Sequence, residues 1–124
     1  MNTPKKNVLV VEDDTDSRAA ICTILETLGF SHTSFSGGAE ALKYSGAVDI
    51  ALLDIMMPNM NGYELLAQMR KRPEYKDLPV IMITAKDGDS EILEGYQSGA
   101  DYYITKPFTA KQLEYGIRIF LPAE

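Results

Sequence analysis

The sequence predicts an α/β protein in which helices cover both faces of a parallel β-sheet. The first observation is a series of short, continuous apolar runs, as fully buried parallel strands show. The second is that helical patterns alternate with these runs along the chain. The third is that acidic residues and one lysine directly follow several runs. They would therefore share the edge of the sheet where such folds bind ligands.

Five strands are predicted in the chain. The four most apolar runs lie at residues 8–11, 49–53, 80–83 and 102–105. The remaining strand, second in chain order, is placed at residues 32–35, where serine and threonine make the pattern less apolar.

Five helices are predicted to follow the strands. The first runs from Asp14 to Leu28, because apolar residues recur on one face and Gly29 provides a stop. The second covers residues 38–45, and the third begins at Gly62 and ends within residues 70–73. The fourth and last helices are placed at residues 90–98 and 110–120. The fourth is polar and contains a glycine, so we expect it to be the least stable element.

Length and composition limit the class of protein. A chain of 124 residues corresponds to one domain, expected to span residues 1–124 with a core at about 6–120 and no effector domain. No apolar stretch is long enough for a membrane span and no signal peptide is visible, so a cytoplasmic location is expected. The single Cys22 fits a reducing compartment. A net charge of −6 argues against direct binding of nucleic acid.

The acidic residues predict a metal site. Glu12, Asp13 and Asp14 follow the first strand, and Asp54 follows the third. Carboxylates gathered about 5 Å apart repel each other by a few kcal/mol per pair at an effective dielectric near 20, so a cation must offset them. Mg²⁺, or Mn²⁺ in its place, would take Asp13 and Asp54 directly, the Met56 carbonyl as a third ligand, and Glu12 through water.

A structural interpretation of the same residues stays open beside the metal site. Asp14, Thr15 or Asp16 would cap the first helix well, and four acids in five residues exceed what a cap needs. Asp54 could likewise only end a strand and cap a loop.

Asp54 and two further residues, Thr84 and Lys106, point to phosphoryl chemistry at this edge. The Asp54 carboxylate can attack a phosphoryl group and hold it as an acyl phosphate. Thr84 would place a hydroxyl beside that group, and Lys106 would place an ammonium against Asp54 and then against a phosphoryl oxygen. A cis bond between Lys106 and Pro107 would aim the lysine inward.

Four sequence pieces in order resemble the receiver domain of two-component response regulators. The pieces are V-L-V-V-E-D-D at 8–14, L-L-D-I-M-M-P-N-M-N-G at 52–62, I-M-I-T-A at 81–85 and G-A-D-Y-Y-I-T-K-P-F at 99–108. The resemblance covers about residues 6–120. It implies a flavodoxin-like receiver fold, a doubly wound sheet of five strands in the order 2-1-3-4-5.

The resemblance also implies roles for individual residues. Asp54 would be the phosphoacceptor, and Thr84 and Tyr103 would be the switch residues. The remaining site residues are the Mg²⁺-binding acids Glu12 and Asp13, the Met56 carbonyl, and Lys106. Glu12 stands where many members carry aspartate.

The implied partners are a sensor histidine kinase or phosphotransfer protein and a downstream effector domain or protein. Phosphorylation would change the face formed by the predicted fourth helix, the fifth strand and the last helix, and a homodimer through that face is possible. The chain would not be an enzyme acting on other substrates, since it would catalyse only its own phosphoryl transfer and dephosphorylation.

Three alternative functions compete with this interpretation of the sequence. A degenerate receiver would act only as a protein-interaction module. An aspartyl-phosphate phosphatase of the haloacid dehalogenase type would need a second aspartate two residues after the nucleophile, where this chain has Met56. A flavodoxin-like or dinucleotide-binding module would need a glycine-rich phosphate loop after the first strand, where this chain is acidic.

Overall fold

The computed structural model describes residues 5–85 and 99–122. Five strands form one parallel sheet, which confirms the predicted fold class. The strands are β1 (Asn7–Val11), β2 (Ser31–Phe35), β3 (Ile50–Asp54), β4 (Val80–Thr84) and β5 (Tyr102–Thr105). Their order across the sheet is β2-β1-β3-β4-β5, the order that the resemblance implied.

Four helices lie within the described residues. They are α1 (Thr15–Thr27), α2 (Gly38–Leu42), α3 (Gly62–Arg70) and α4 (Ala110–Phe120), with a 3-10 turn at Pro73–Tyr75 after α3. The helix predicted at residues 90–98 lies outside the described residues. No helix in the part of the chain that the structure describes has the length and hydrophobicity needed to cross a membrane.

Side chains at the start of each long helix explain where it begins. The Asp14 carboxylate accepts a hydrogen bond from the first turn of α1. Asn61 and Glu64 form a reciprocal capping box at α3, and Thr109 and Gln112 form another at α4. These contacts satisfy backbone N–H groups that have no partner within the helix. They fix the three helix starts at the same edge of the sheet, just beyond the strand ends.

The C-terminal ends of α2, β3 and β4 differ from the prediction, each because of a tertiary contact. Helix α2 ends at Leu42 rather than at residue 45, because the Arg72 guanidinium hydrogen-bonds the carbonyl groups of Leu42 and Tyr44. Strand β3 extends to Asp54, which pairs with β4, and β4 extends to Thr84, which pairs with β5. Asp54 and Thr84 are therefore the last residues of their strands and share the rigidity of the sheet.

Alternate strand residues pack on opposite faces of the sheet. On one face Leu9, Leu53 and Met82 belong to a buried cluster that includes side chains of α2 and α3. On the other face the buried cluster includes side chains of α1 and α4. Tyr102 packs against the second cluster and Tyr103 against the first, because adjacent residues of a strand point to opposite faces.

Arg70, at the end of α3, stabilises the amino edge of the sheet through several hydrogen bonds. Its guanidinium donates to the carbonyl groups of Tyr75 at 2.8 Å, Leu78 at 2.7 Å and Gly99 at 3.0 Å. Asp101 also accepts from Arg70, at 3.4 Å. One cation thereby ties together α3, the 3-10 turn and the segment that leads into β5.

Gly62 allows α3 to start directly against the end of β3. Its N–H donates to the Ile55 carbonyl at 2.9 Å. A Cβ atom added at Gly62 would lie 2.6 Å from the Asp54 carbonyl oxygen and 3.0 Å from the Ile55 Cα. Both neighbours are backbone atoms, which cannot rotate away, so only glycine fits without a shift of the strand end.

Replacing Gly62 with alanine should destabilise the protein by about 1–3 kcal/mol, the usual cost of overpacking a close contact. Urea unfolding of the purified variant measures this. Gly37→Ala is the comparison, because a Cβ there meets only the flexible Glu40 side chain, 3.2 Å away. Equal stability of Gly62→Ala and wild type would show that the close approach is not a constraint.

Candidate functional site

The predicted acidic residues converge at the carboxyl edge of the sheet. Oxygen atoms of Glu12, Asp13 and Asp54 all lie within 4.8 Å of one another. Glu12 is 1% exposed and Asp54 4%, whereas Asp13 is exposed. Two buried carboxylates and one accessible carboxylate therefore face a common point.

Among the residues that the structure describes, Lys106 places a positive charge against these acids. Its Nζ lies 2.5 Å from Oε1 of Glu12 and 3.7 Å from Oδ1 of Asp54. The predicted pairing of Lys106 with Asp54 is present, and Glu12 is an additional, closer carboxylate. The Lys106 N–H donates to the Thr84 carbonyl at 2.7 Å, and the bond to Pro107 is cis, as predicted.

Glu12 is held at both its side chain and its main chain. Oε2 accepts from the Asp14 N–H at 3.2 Å, and the Glu12 N–H donates to the Phe35 carbonyl at 3.1 Å. The Glu12 carbonyl accepts from Nη1 of Arg18 at 2.8 Å. Arg18 is not among the residues predicted for the site, although a basic residue in the second turn of a helix that follows an acidic run could have indicated it.

The acidic run divides between capping and the site. Asp14 is the N-cap of α1, and Oδ2 accepts from the Ser17 N–H at 2.8 Å. Hydrogen bonds from Ser17 are the main reason that the pKa of Asp14 is lowered, with smaller contributions from the charges of Lys106 and Arg18. Glu12 and Asp13 remain for the cluster with Asp54, so the capping role of Asp14 does not exclude the predicted metal site.

Burial and a neighbouring acid disfavour ionisation of the Asp54 carboxyl group. The pKa of Asp54 is raised to about 8, mainly by burial and next by the hydrogen bond and charge of Glu12. The positive charge of Lys106 lowers this pKa but does not offset the other causes. Burial alone would lower the pKa of Lys106, but its hydrogen bond to Glu12 and the charge of Asp54 outweigh burial and raise it. Lys106 is therefore a permanent cation in this site.

The other predicted residues lie around the cluster. Thr84 is fully buried at the end of β4, next to the strand that carries Asp54. Met56 follows Asp54 by two residues and its side chain is 63% exposed. Tyr103 is half-buried on β5, and its hydroxyl lies 3.5 Å from that of Tyr63 on α3. His32 lies on β2 and pairs with Glu26 at 2.8 Å, apart from this cluster.

The donor set suits a small, hard divalent cation. All three converging groups are carboxylates, and oxygen ligands are what Mg²⁺ prefers. Full negative charge on Glu12, Asp13 and Asp54 would exceed the single positive charge of Lys106, so a divalent ion would restore balance. The exposure of Asp13 leaves a path from solvent.

Comparison with known proteins agrees with this arrangement. Residues 8–118 match the family model described as the response regulator receiver domain. The chain is 40% identical over 118 residues to the sensory transduction protein RegX3 of Mycolicibacterium smegmatis, covering 93% of this chain and 50% of that protein. The chain spans about half the length of the curated relatives it matches.

Solved structures show the same fold. A putative response regulator from Chloroflexus aurantiacus superposes with a TM-score of 0.91 at 30% identity, covering 97% of this chain and 100% of that one. The receiver domain of the sensor histidine kinase PA1611 from Pseudomonas aeruginosa, solved with a magnesium ion in its active-site cleft, gives a TM-score of 0.89 at 24% identity, covering 97% and 100%. This chain belongs to the response regulator receiver domain family of two-component signal transduction.

Proposed function

We propose that this domain receives a phosphoryl group on Asp54 and passes the signal on through a change of surface shape. The observation that carries the proposal is the convergence of Asp54 with Glu12, Asp13 and Lys106 at the one edge where Thr84 also ends its strand. Membership of the receiver family supports the same role.

A divalent cation, Mg²⁺ or Mn²⁺, would be held by Asp13 and Asp54, with the Met56 carbonyl as a further ligand. Glu12 would act through water, because both of its carboxylate oxygens already accept hydrogen bonds from Lys106 and Asp14. When bound, the cation would neutralise charge on the oxygens of the transferred group.

The residues of the chain would do the rest of the chemistry. Asp54 would attack the phosphorus atom through a carboxylate oxygen, as the bond to the donor breaks, and form an acyl phosphate. Lys106 would turn from Glu12 to a phosphoryl oxygen, a movement that its long side chain permits. Thr84 would then donate its hydroxyl hydrogen to another phosphoryl oxygen.

Signalling would follow from the charge of the new group. A phosphoryl group near −2 needs donors, so Thr84 would be drawn toward Asp54. Tyr103 would occupy the space that this opens, which would repack the surface around β5 and α4. The free energy needed is a few kcal/mol between two packings.

The partners we propose are a histidine kinase or phosphotransfer protein as donor, and an effector domain or separate protein as target. A phosphatase that turns over other substrates is disfavoured by Met56, which offers no carboxylic acid two residues after Asp54. Binding of the cation would disfavour the degenerate receiver as well.

Asp54 should be the only residue labelled by acetyl phosphate, and only with Mg²⁺. Intact-mass measurement should show one phosphoryl group on wild type and none on Asp54→Asn, because an amide cannot form the acyl phosphate. Asp77→Asn, which removes an exposed acid at the opposite edge, should label like wild type. Labelling of Asp54→Asn, or no labelling of wild type, would contradict the proposal.

In the presence of a chelator, the stability of wild type should fall as pH rises from about 4 to 8. The folded pKa of Asp54, about 8, exceeds the ordinary value of 3.8, so the folded state binds more protons in this window and loses stability as they leave. At pH 8.5 Asp54→Asn should be more stable than wild type by on the order of 2–4 kcal/mol, less than the full shift implies because Lys106 relaxes toward the charge.

Urea unfolding at pH 5 and 8.5 measures this difference. Added Mg²⁺ should stabilise wild type at pH 8.5 and stabilise Asp54→Asn much less, since the variant has lost a ligand. The opposite result would be a wild type that becomes more stable relative to Asp54→Asn as pH rises in the presence of the chelator. That result would show that ionisation of Asp54 does not destabilise the folded state.

A further inference from the structure

The turn between β1 and α1, residues 12–14, carries two of the proposed metal acids. It is bound at its start by the Glu12 N–H, which continues the pairing of β1 with β2 through the Phe35 carbonyl. It is bound through the Glu12 side chain by Lys106. These contacts fix the position of Glu12, but they do not fix the orientation of the Glu12 carbonyl and the peptide bond that follows it.

Arg18 contacts the start of this turn with its side chain and the end of the turn with its backbone N–H. Its Nη1 donates to the Glu12 carbonyl at 2.8 Å, and its own N–H donates to the Asp14 carbonyl at 2.9 Å. Asp13 lies between these two carbonyls, with an exposed side chain that nevertheless reaches the common point with Asp54. The Arg18 side chain therefore holds the carbonyl of the peptide between Glu12 and Asp13, while the Asp14 N–H of the next peptide donates to the Glu12 side chain.

We infer that Arg18 is a positioning residue for the cation site, acting through the Glu12 carbonyl to aim the Asp13 carboxylate. This inference rests on the proposed function, because it assumes that Asp13 and Asp54 hold a divalent cation. Arg18 does not touch the cation or the phosphoryl group.

The sign of the effect separates positioning from simple electrostatics. A fixed positive charge beside a cation site repels the cation, so loss of Arg18 would tighten Mg²⁺ binding if charge alone mattered. Loss of a residue that orients a ligand weakens metal binding, commonly by about 10–100-fold. The two mechanisms predict opposite changes.

The test compares Mg²⁺ affinity of wild type, Arg18→Gln and Lys71→Gln by isothermal titration calorimetry. Lys71 is an exposed residue at the far end of α3, and its replacement removes the same charge. We expect Arg18→Gln to bind Mg²⁺ about tenfold more weakly and Lys71→Gln to match wild type.

A second readout distinguishes orientation from general damage. The Mg²⁺ concentration for half-maximal labelling by acetyl phosphate should rise about tenfold in Arg18→Gln, while the labelling rate at saturating Mg²⁺ stays within about twofold of wild type. Should Arg18→Gln fail to fold, Arg18→Lys decides: it keeps the charge but loses the planar, extended fork, so binding about threefold weaker is expected.

If wild type binds Mg²⁺ and Arg18→Gln binds it equally tightly or more tightly, the inference is wrong and the proposed function is unaffected. Absence of Mg²⁺ binding by wild type overturns both.

Discussion

The structure is organised around the mutual repulsion of three carboxylates at one edge of a parallel sheet. Two full charges about 5 Å apart, at an effective dielectric near 20, repel by about 3 kcal/mol. Glu12 and Asp54 are also almost fully buried, and burial raises the pKa of Asp54. Lys106 stays charged because its hydrogen bond to Glu12 and the charge of Asp54 raise its pKa. Ionisation of all three acids is therefore unfavourable in free energy. Binding of a divalent cation, or a chemical change at Asp54, would alter that free energy. The proposed phosphoryl chemistry and the switching both depend on that change.

The rest of the fold keeps this site rigid despite its cost. Strands β1 and β3 are neighbours, so their carboxyl ends bring Glu12 and Asp54 together without any long loop. Gly62 lets α3 close against the backbone of Asp54. The large apolar clusters on the two faces hold the strands in register, and Arg70 fastens the opposite edge. The apolar packing and the Arg70 hydrogen bonds thus lie away from the residues for which we propose binding and reaction.

Much of this was predictable because buried parallel strands have a strong sequence signal. Apolar runs that end in acids located β1, β3 and the carboxylates, and parallel geometry required those ends to meet. Contacts between distant side chains carry no such signal. The preference of Lys106 for Glu12 over Asp54 depends on the reach of a glutamate in three dimensions. The early end of α2 depends on Arg72, thirty residues away from Leu42. The hydrogen bond from Arg18 to the Glu12 carbonyl depends on the path of the turn after β1, which has no signal in the sequence.

The central claim is that Asp13 and Asp54 together form a divalent-cation site. Anomalous diffraction from crystals soaked in millimolar Mn²⁺ tests it directly, because Mn²⁺ takes the same oxygen ligands as Mg²⁺ and scatters anomalously. The account predicts one strong peak in contact with carboxylate oxygens of Asp13 and Asp54, near the Met56 carbonyl. A fully occupied Mn²⁺ ion elsewhere, with no density between these two aspartates, would contradict it.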